Sequence, residues 1–221
     1  EATNIAYQTE DQDDGLIYRF LPYHGKNYLA GGTLQALAFE NKPQMDTRNW
    51  AEDKIRVGEK YKIKWMPLNV ENIKNDTLRY RGYELGTAVF ARPEGMWYDD
   101  DIIYFTCTSG GKKKLGQIWK IDLKTQFLEM IFESKDSTKM RKCDNIIISP
   151  WGDIIVCEDG RGKDRIIGIK SDGSTYVIAE NTFNNAEFAG VTFSPDGRIL
   201  FVNIYRPTMT LAITGPWKLL M

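Results

Sequence analysis

This sequence predicts an all-β fold, a β-propeller of four-stranded antiparallel blades, and three observations lead there. A strand-turn-strand phrase recurs, as CDNIIISPWGDIIVCEDG from Cys143 and AEFAGVTFSPDGRILFVNIY from Ala186. The turns of the two phrases, Ser149-Pro150 and Ser194-Pro195, lie about 45 residues apart, a spacing typical of propeller blades. Each phrase is followed by further β-rich segments, which raises the count toward the four strands of a blade.

At the N-terminus, NIAYQTED, GLIYRFLP and GTLQALAFE read as the second, third and fourth strands of a blade, so the chain is expected to enter its first blade part-way. The segment at about 41–87 breaks the repeat and is expected to be an insertion between blades. Within it YKIKWMPL alternates like a strand, and ENIKNDTLRYRGYEL is expected to turn helical near its end. A third copy of the phrase, RPEGMWYDDDIIYFTCTSGG from Arg92, uses Asp99, Asp100 and Asp101 as its turn, and GQIWKIDL and FLEMIFES complete that blade. DRIIGIKSDG and TYVIAEN follow the Cys143 copy in the same way, and TLAITGPW follows the Ala186 copy.

The count is roughly three and a half blades in a single domain over 1–221, against about 4–8 in a closed ring. An open ring exposes unpaired strand edges. The expectation is therefore one part of a longer propeller whose N-terminal half lies elsewhere, and a first residue of Glu1 in place of an initiator Met agrees with it.

A hydrophobic fraction of 42%, a charged fraction of 27% and a net charge of −1 describe an ordinary globular chain. Such a charge offers no broad attraction to nucleic acid, and no apolar run approaches membrane-spanning length. His24 is the only histidine, which leaves a Ser-His-Asp triad no support in the sequence. Three cysteines make no disulfide framework, and buried free thiols are expected, with a bond between Cys143 and Cys157 as the alternative.

In a four-stranded blade the start of strand one and the end of strand two share a rim. The repeats put Glu94, Asp144 with Asn145, and Glu187 at the first of these positions, and Glu10, Glu158 and Asn203 at the second, with Thr108 in the matching slot. Carboxylates at close range repel one another unless a cation compensates them, and oxygen ligands with almost no histidine favour a hard cation such as Ca²⁺. The same acids also suit an ordinary role, solvating a rim or capping turns. Arg92 and Arg206 fall at this rim, where a guanidinium fork suits a phosphate or carboxylate; either also suits a simple pairing with a neighbouring acid.

The ordered set of TED, RPEG, EDG and E-x-x-G-x-x-FSPDG-x-x-LFVN resembles the C-terminal half of the PhoX-type alkaline phosphatases and their uncharacterised relatives, over nearly the whole chain except the insertion. The resemblance implies a six-bladed propeller holding calcium and ferric iron (Ca²⁺, Fe³⁺) that hydrolyses small phosphate monoesters outside the cytoplasm, periplasmic or secreted. It implies Glu10, Glu94, Glu158 and Glu187 as metal ligands, beside Asp144 from the strand register. It gives Arg92 a catalytic and phosphate-holding role, and the strand register adds Asn203 and Arg206 as further substrate contacts. Family members also draw iron ligands, a cysteine among them, from the N-terminal half, and Cys107, Cys143 and Cys157 do not match that position; the isolated chain is expected to be inactive. Two other readings stand beside this one, a calcium-dependent lactonase-like propeller hydrolase and a non-catalytic propeller serving as a binding module.

Overall fold

The computed structural model describes residues 4–71 and 75–217. Glu1 and the middle of the ENIKND stretch lie outside the described residues. Fifteen strands form three antiparallel sheets among them. The first sheet holds β1 (Ala6–Thr9), β2 (Ile17–Pro22), β3 (Gly32–Phe39), β4 (Lys60–Pro67), β5 (Pro93–Asp99), β6 (Ile102–Cys107), β7 (Gln117–Asp122) and β8 (Phe127–Glu133). The second holds β9 (Cys143–Ile148), β10 (Ile154–Glu158), β11 (Arg165–Ile169) and β12 (Thr175–Glu180), and the third β13 (Phe188–Phe193), β14 (Ile199–Ile204) and β15 (Met209–Thr214).

Local chemistry accounts for the hairpins. Asp100 and Asp101 both take positive φ, 41° and 62°, between paired Asp99 and Ile102, as a two-residue hairpin of primed type requires. In the Ser-Pro turns the serine hydroxyl closes the loop: Ser149 Oγ accepts from the Asp153 amide at 2.9 Å and Ser194 Oγ from the Ile199 amide at 3.0 Å. Gly152 and Gly197 supply the left-handed residue in each, at φ 91° and 69°.

The strands alternate as half-buried strands must. Along β8, Leu128, Met130 and Phe132 point inward while their neighbours are more exposed. Phe90, Phe105 and Trp119 meet ring to ring at the centre of the largest apolar cluster, which Ile17, Leu37 and Leu128 also enter. β5, the edge strand of the first sheet, lies beside β9, β9 lies beside β13, and β1 lies against β5. The arrangement is propeller-like, and it brings the starts of β5, β9 and β13 to one place.

The segment 41–87 carries both a strand and a helix, β4 and α1 (Leu78–Glu84). β4 pairs with β3 on one side and, through Lys60–Lys62, with β8 on the other. Two four-stranded units therefore join edge to edge in an eight-stranded sheet. Cys107, Cys143 and Cys157 are free and buried, and burial pushes each thiol up. Cys143 stands opposite Glu158 in the β9–β10 register, not opposite Cys157.

Candidate functional site

Arg92 and Pro93 open β5, and the Arg92 backbone takes the left-handed region at φ 52°, a strained conformation for a residue with a side chain. Its amide donates to the Gln12 carbonyl, and its own carbonyl accepts from Thr108. The guanidinium is held on two sides. Nε and Nη2 donate to Asp11 at 2.8 and 3.3 Å, and Nη2 also lies 2.7 Å from Glu94 Oε1.

Glu94, two residues on, is the centre of the arrangement. Thr108 Oγ1 donates to its Oε1 at 2.8 Å, and its second partner is another acid, Asp144 at the start of β9. Burial, and then the hydrogen bond and charge of Asp144, push the Glu94 carboxyl up to about 9. Two acids bound in this way form a site with a surplus of negative charge that a cation would take up.

A second acid pair lies one sheet on. Glu187 precedes β13 and hydrogen-bonds Asp159; burial first, and then Asp159, push it up to about 7, with the charge of Asp144 contributing. Both residues line a cleft of about 460 Å³ with Asp164, Asn184, Tyr205 and Arg206. The Asp164 carboxyl is almost wholly buried, and burial lifts it to about 6. Arg206 stacks on Tyr205 at 5.3 Å, and none of its contacts among the described residues is an ion pair. Asn203 is half-buried, its Oδ1 taken by Thr210 Oγ1 at 2.7 Å. Asn145 Oδ1 accepts from the Gly190 amide and so ties β9 to β13.

Two acids singled out in the sequence are turned to local partners. Glu158 is fully buried, and Arg165 grips it with Nη2 on Oε1 at 2.6 Å and Nε on Oε2 at 2.8 Å, while the Arg141 amide adds a third bond. Glu10 accepts from Tyr18 Oη at 2.6 Å and from the Leu16 amide at 3.2 Å, with Arg79 at 3.5 Å, beside a separate cleft lined by Thr9, Tyr18 and Asp76. The next residue in each case takes the central place: Asp11 meets Arg92, and Asp159 meets Glu187. A register irregularity between Val156 and Glu158 accompanies this shift in β10. Because side chains alternate along a strand, an offset of one residue exchanges inward for outward.

The family model described as Alkaline phosphatase PhoX matches residues 1–208. This chain belongs to the PhoX alkaline phosphatase family. None of the curated proteins matches it significantly. Among solved structures it is similar to a protein described as a candidate 6-phosphogluconolactonase from Bacteroides uniformis ATCC 8492, at 10% identity and a TM-score of 0.44. The match covers 92% of this chain and 51% of that one, so the chain spans about half the length of that protein.

Membership in the PhoX family implies dependence on metal. Among the described residues no group of three or more His, Cys, Asp or Glu is gathered to hold an ion. What the PhoX chain does present is the pair Glu94–Asp144 and the pair Glu187–Asp159, oxygen donors suited to hard cations. In each pair burial and the neighbouring acid disfavour the charged form of Glu94 or Glu187, a cost that a bound cation would relieve, and in this respect the residues fit the metal the family implies.

Proposed function

We propose that the whole protein is a phosphoric monoester hydrolase, a PhoX-like alkaline phosphatase on a six-bladed propeller, and that this chain supplies the acidic rim of its site. The observation that carries this reading is the binding of Glu94 to Asp144, Thr108 and Arg92 at once, which sets a cation-ready carboxylate pair directly beside a guanidinium. In this proposal Glu94, Asp144, Glu187 and Asp159 hold calcium and ferric iron together with ligands from the N-terminal half. The substrate is a small phosphate ester, and the protein works in the periplasm or outside the cell, as its relatives are expected to do.

Bound there, the cations would supply neutralisation of the phosphoryl oxygens and activation of the attacking oxygen. The chain's own residues set the geometry. Asp11 and Glu94 fix the plane of the Arg92 fork, and its Nη1 makes no hydrogen bond among the described residues, leaving that edge for a phosphoryl oxygen. As the bond to the departing alcohol lengthens, negative charge spreads over the equatorial oxygens, and a guanidinium already in position stabilises it without rearranging. Arg206, exposed at the rim of the neighbouring cleft and in no ion pair among the described residues, can meet the substrate from that side.

Elemental analysis of the native protein together with hydrolysis of a nitrophenyl phosphate tests this. Iron and calcium should both be present, and Glu94→Gln or Glu187→Gln should remove tight metal binding and turnover while far-UV circular dichroism stays unchanged. A native protein that holds no metal and releases no nitrophenol would refute the assignment.

A further inference from the structure

Lys142 stands to β9 as Arg92 stands to β5. Each precedes its strand directly, each lies two residues before the acid of the Glu94–Asp144 pair, and each has a left-handed backbone, φ 52° at Arg92 and 51° at Lys142. A strained conformation repeated at one register position in two consecutive sheets, carrying a basic residue both times, marks a place where the surroundings hold the side chain on purpose. The backbone around Lys142 is fastened on three sides: its amide to the Leu115 carbonyl at 2.6 Å, its carbonyl to the Asp159 amide at 2.8 Å, and the next carbonyl, of Cys143, to Thr108 Oγ1 at 2.9 Å. The backbone at Lys142 is thus fixed beside Thr108, which holds Glu94, and beside Asp159, the partner of Glu187.

The side chain is half-buried and makes no ion pair or hydrogen bond among the described residues. The charges that face it are Arg92 and Lys114 as cations and Asp13 and Asp159 as anions. Arg92 is occupied by Asp11 and Glu94, whereas the Lys142 ammonium has no acid in contact among the described residues. Arg92 acts on Lys142 electrostatically, and a cation repelled by its neighbour and in no ion pair among the described residues suits an anion of higher charge than a carboxylate. A lysine serves such an anion as a compact point charge, and an arginine serves it as a planar fork.

We propose that Lys142 is a second phosphate-holding residue, the counterpart of Arg92 in the next sheet, and that the two together grip the phosphoryl group. This rests on the phosphatase reading above. The test is titration of the metal-loaded full-length protein with inorganic phosphate, in parallel with its hydrolysis of a nitrophenyl phosphate. Lys142→Gly suits the left-handed backbone and should fold at least as stably as the parent. It should nevertheless weaken phosphate binding by about tenfold or more, whereas Lys142→Arg should stay within about threefold, and the metal content of both should be unchanged. If the parent binds phosphate and Arg92→Ala weakens it while Lys142→Gly does not, the role given to Lys142 is wrong and the phosphatase reading stands. If the parent neither binds phosphate nor hydrolyses the ester, both fall together.

Discussion

At the scale of single residues, the informative contrast is between neighbouring acids that sequence alone treats as equivalent. Glu158 and Asp159 are adjacent, yet one is a fully buried partner of Arg165 and the other lines the cleft beside Glu187. Removing the charge of Glu158 leaves the Arg165 guanidinium facing an interior from which its counter-ion has gone, and breaking a buried pair on one side costs about 3 kcal/mol or more. Glu158→Gln should therefore lower the denaturation midpoint sharply while the folded fraction keeps its metal content. Asp159→Asn should do the reverse, leaving the midpoint nearly unchanged and weakening metal binding; equal metal loss in both variants would contradict the division of roles drawn here. The acidic rim was legible in the repeat, since Glu94, Asp144 and Glu187 each stand at the start of the first strand of a phrase or just before it. The repeat did not show which member of Glu10-Asp11 or Glu158-Asp159 faces the centre: in β10 an irregularity in the ladder reverses the alternation and leaves no mark on composition, and β1 ends at Thr9, before either acid of the first pair. A doubled acid directly after a strand was the signal available: where two acids adjoin, both faces are acidic, and the second stood ready for the site.

At the scale of elements, β5 and β9 must approach closely for Glu94 to reach Asp144, and the RPEG motif contains the residue that permits it. A Cβ on Gly95 would lie 2.2 Å from the Asp144 carbonyl oxygen and 2.9 Å from the Asn145 Cα, both of them backbone atoms that no rotamer change can move aside. The glycine is there because two strands share its space, not because of its φ. Gly95→Ala should force β9 outward and part the acid pair, so the variant should lose metal affinity along with a stability loss of about 1–3 kcal/mol, the usual range for overpacking. Unchanged metal affinity in a folded Gly95→Ala protein would show that the separation of β5 and β9 does not control the pair. β4 shows the opposite balance between sequence and structure. Its alternation was plain in YKIKWMPL, but its place between β3 and β8 was not, because partner choice at a sheet edge depends on what the rest of the chain leaves unpaired.

At the scale of the whole molecule, the apolar clusters divide the chain unevenly. One cluster binds the two halves of the eight-stranded sheet around Phe90, Phe105 and Trp119, whereas β13–β15 rest on the second sheet through a cluster centred on Leu200, Val202 and Trp217. Trp217 caps that cluster: it stacks on Trp151 at 5.6 Å, meets Phe193 edge-on at 5.9 Å, and donates Nε1 to the Arg198 carbonyl at 2.8 Å. The last strand of the three-stranded sheet, β15, alternates half-buried and exposed residues and holds no buried one, so little interior fastens that edge. It should open first. Truncating Trp217 to alanine removes a ring from a packed interface, a change that costs about 3–5 kcal/mol. If β13–β15 open as a unit of their own, this loss appears there alone: hydrogen exchange should speed up across β13, β14 and β15 while the amides of β5–β8 keep their protection. Equal acceleration in every sheet would mean that the molecule opens only as one cooperative body. The outcome bears on the site directly, because Glu187 precedes β13 and Asp159 follows β10: a third sheet that opens alone would part the second acid pair while Glu94 and Asp144 stay together.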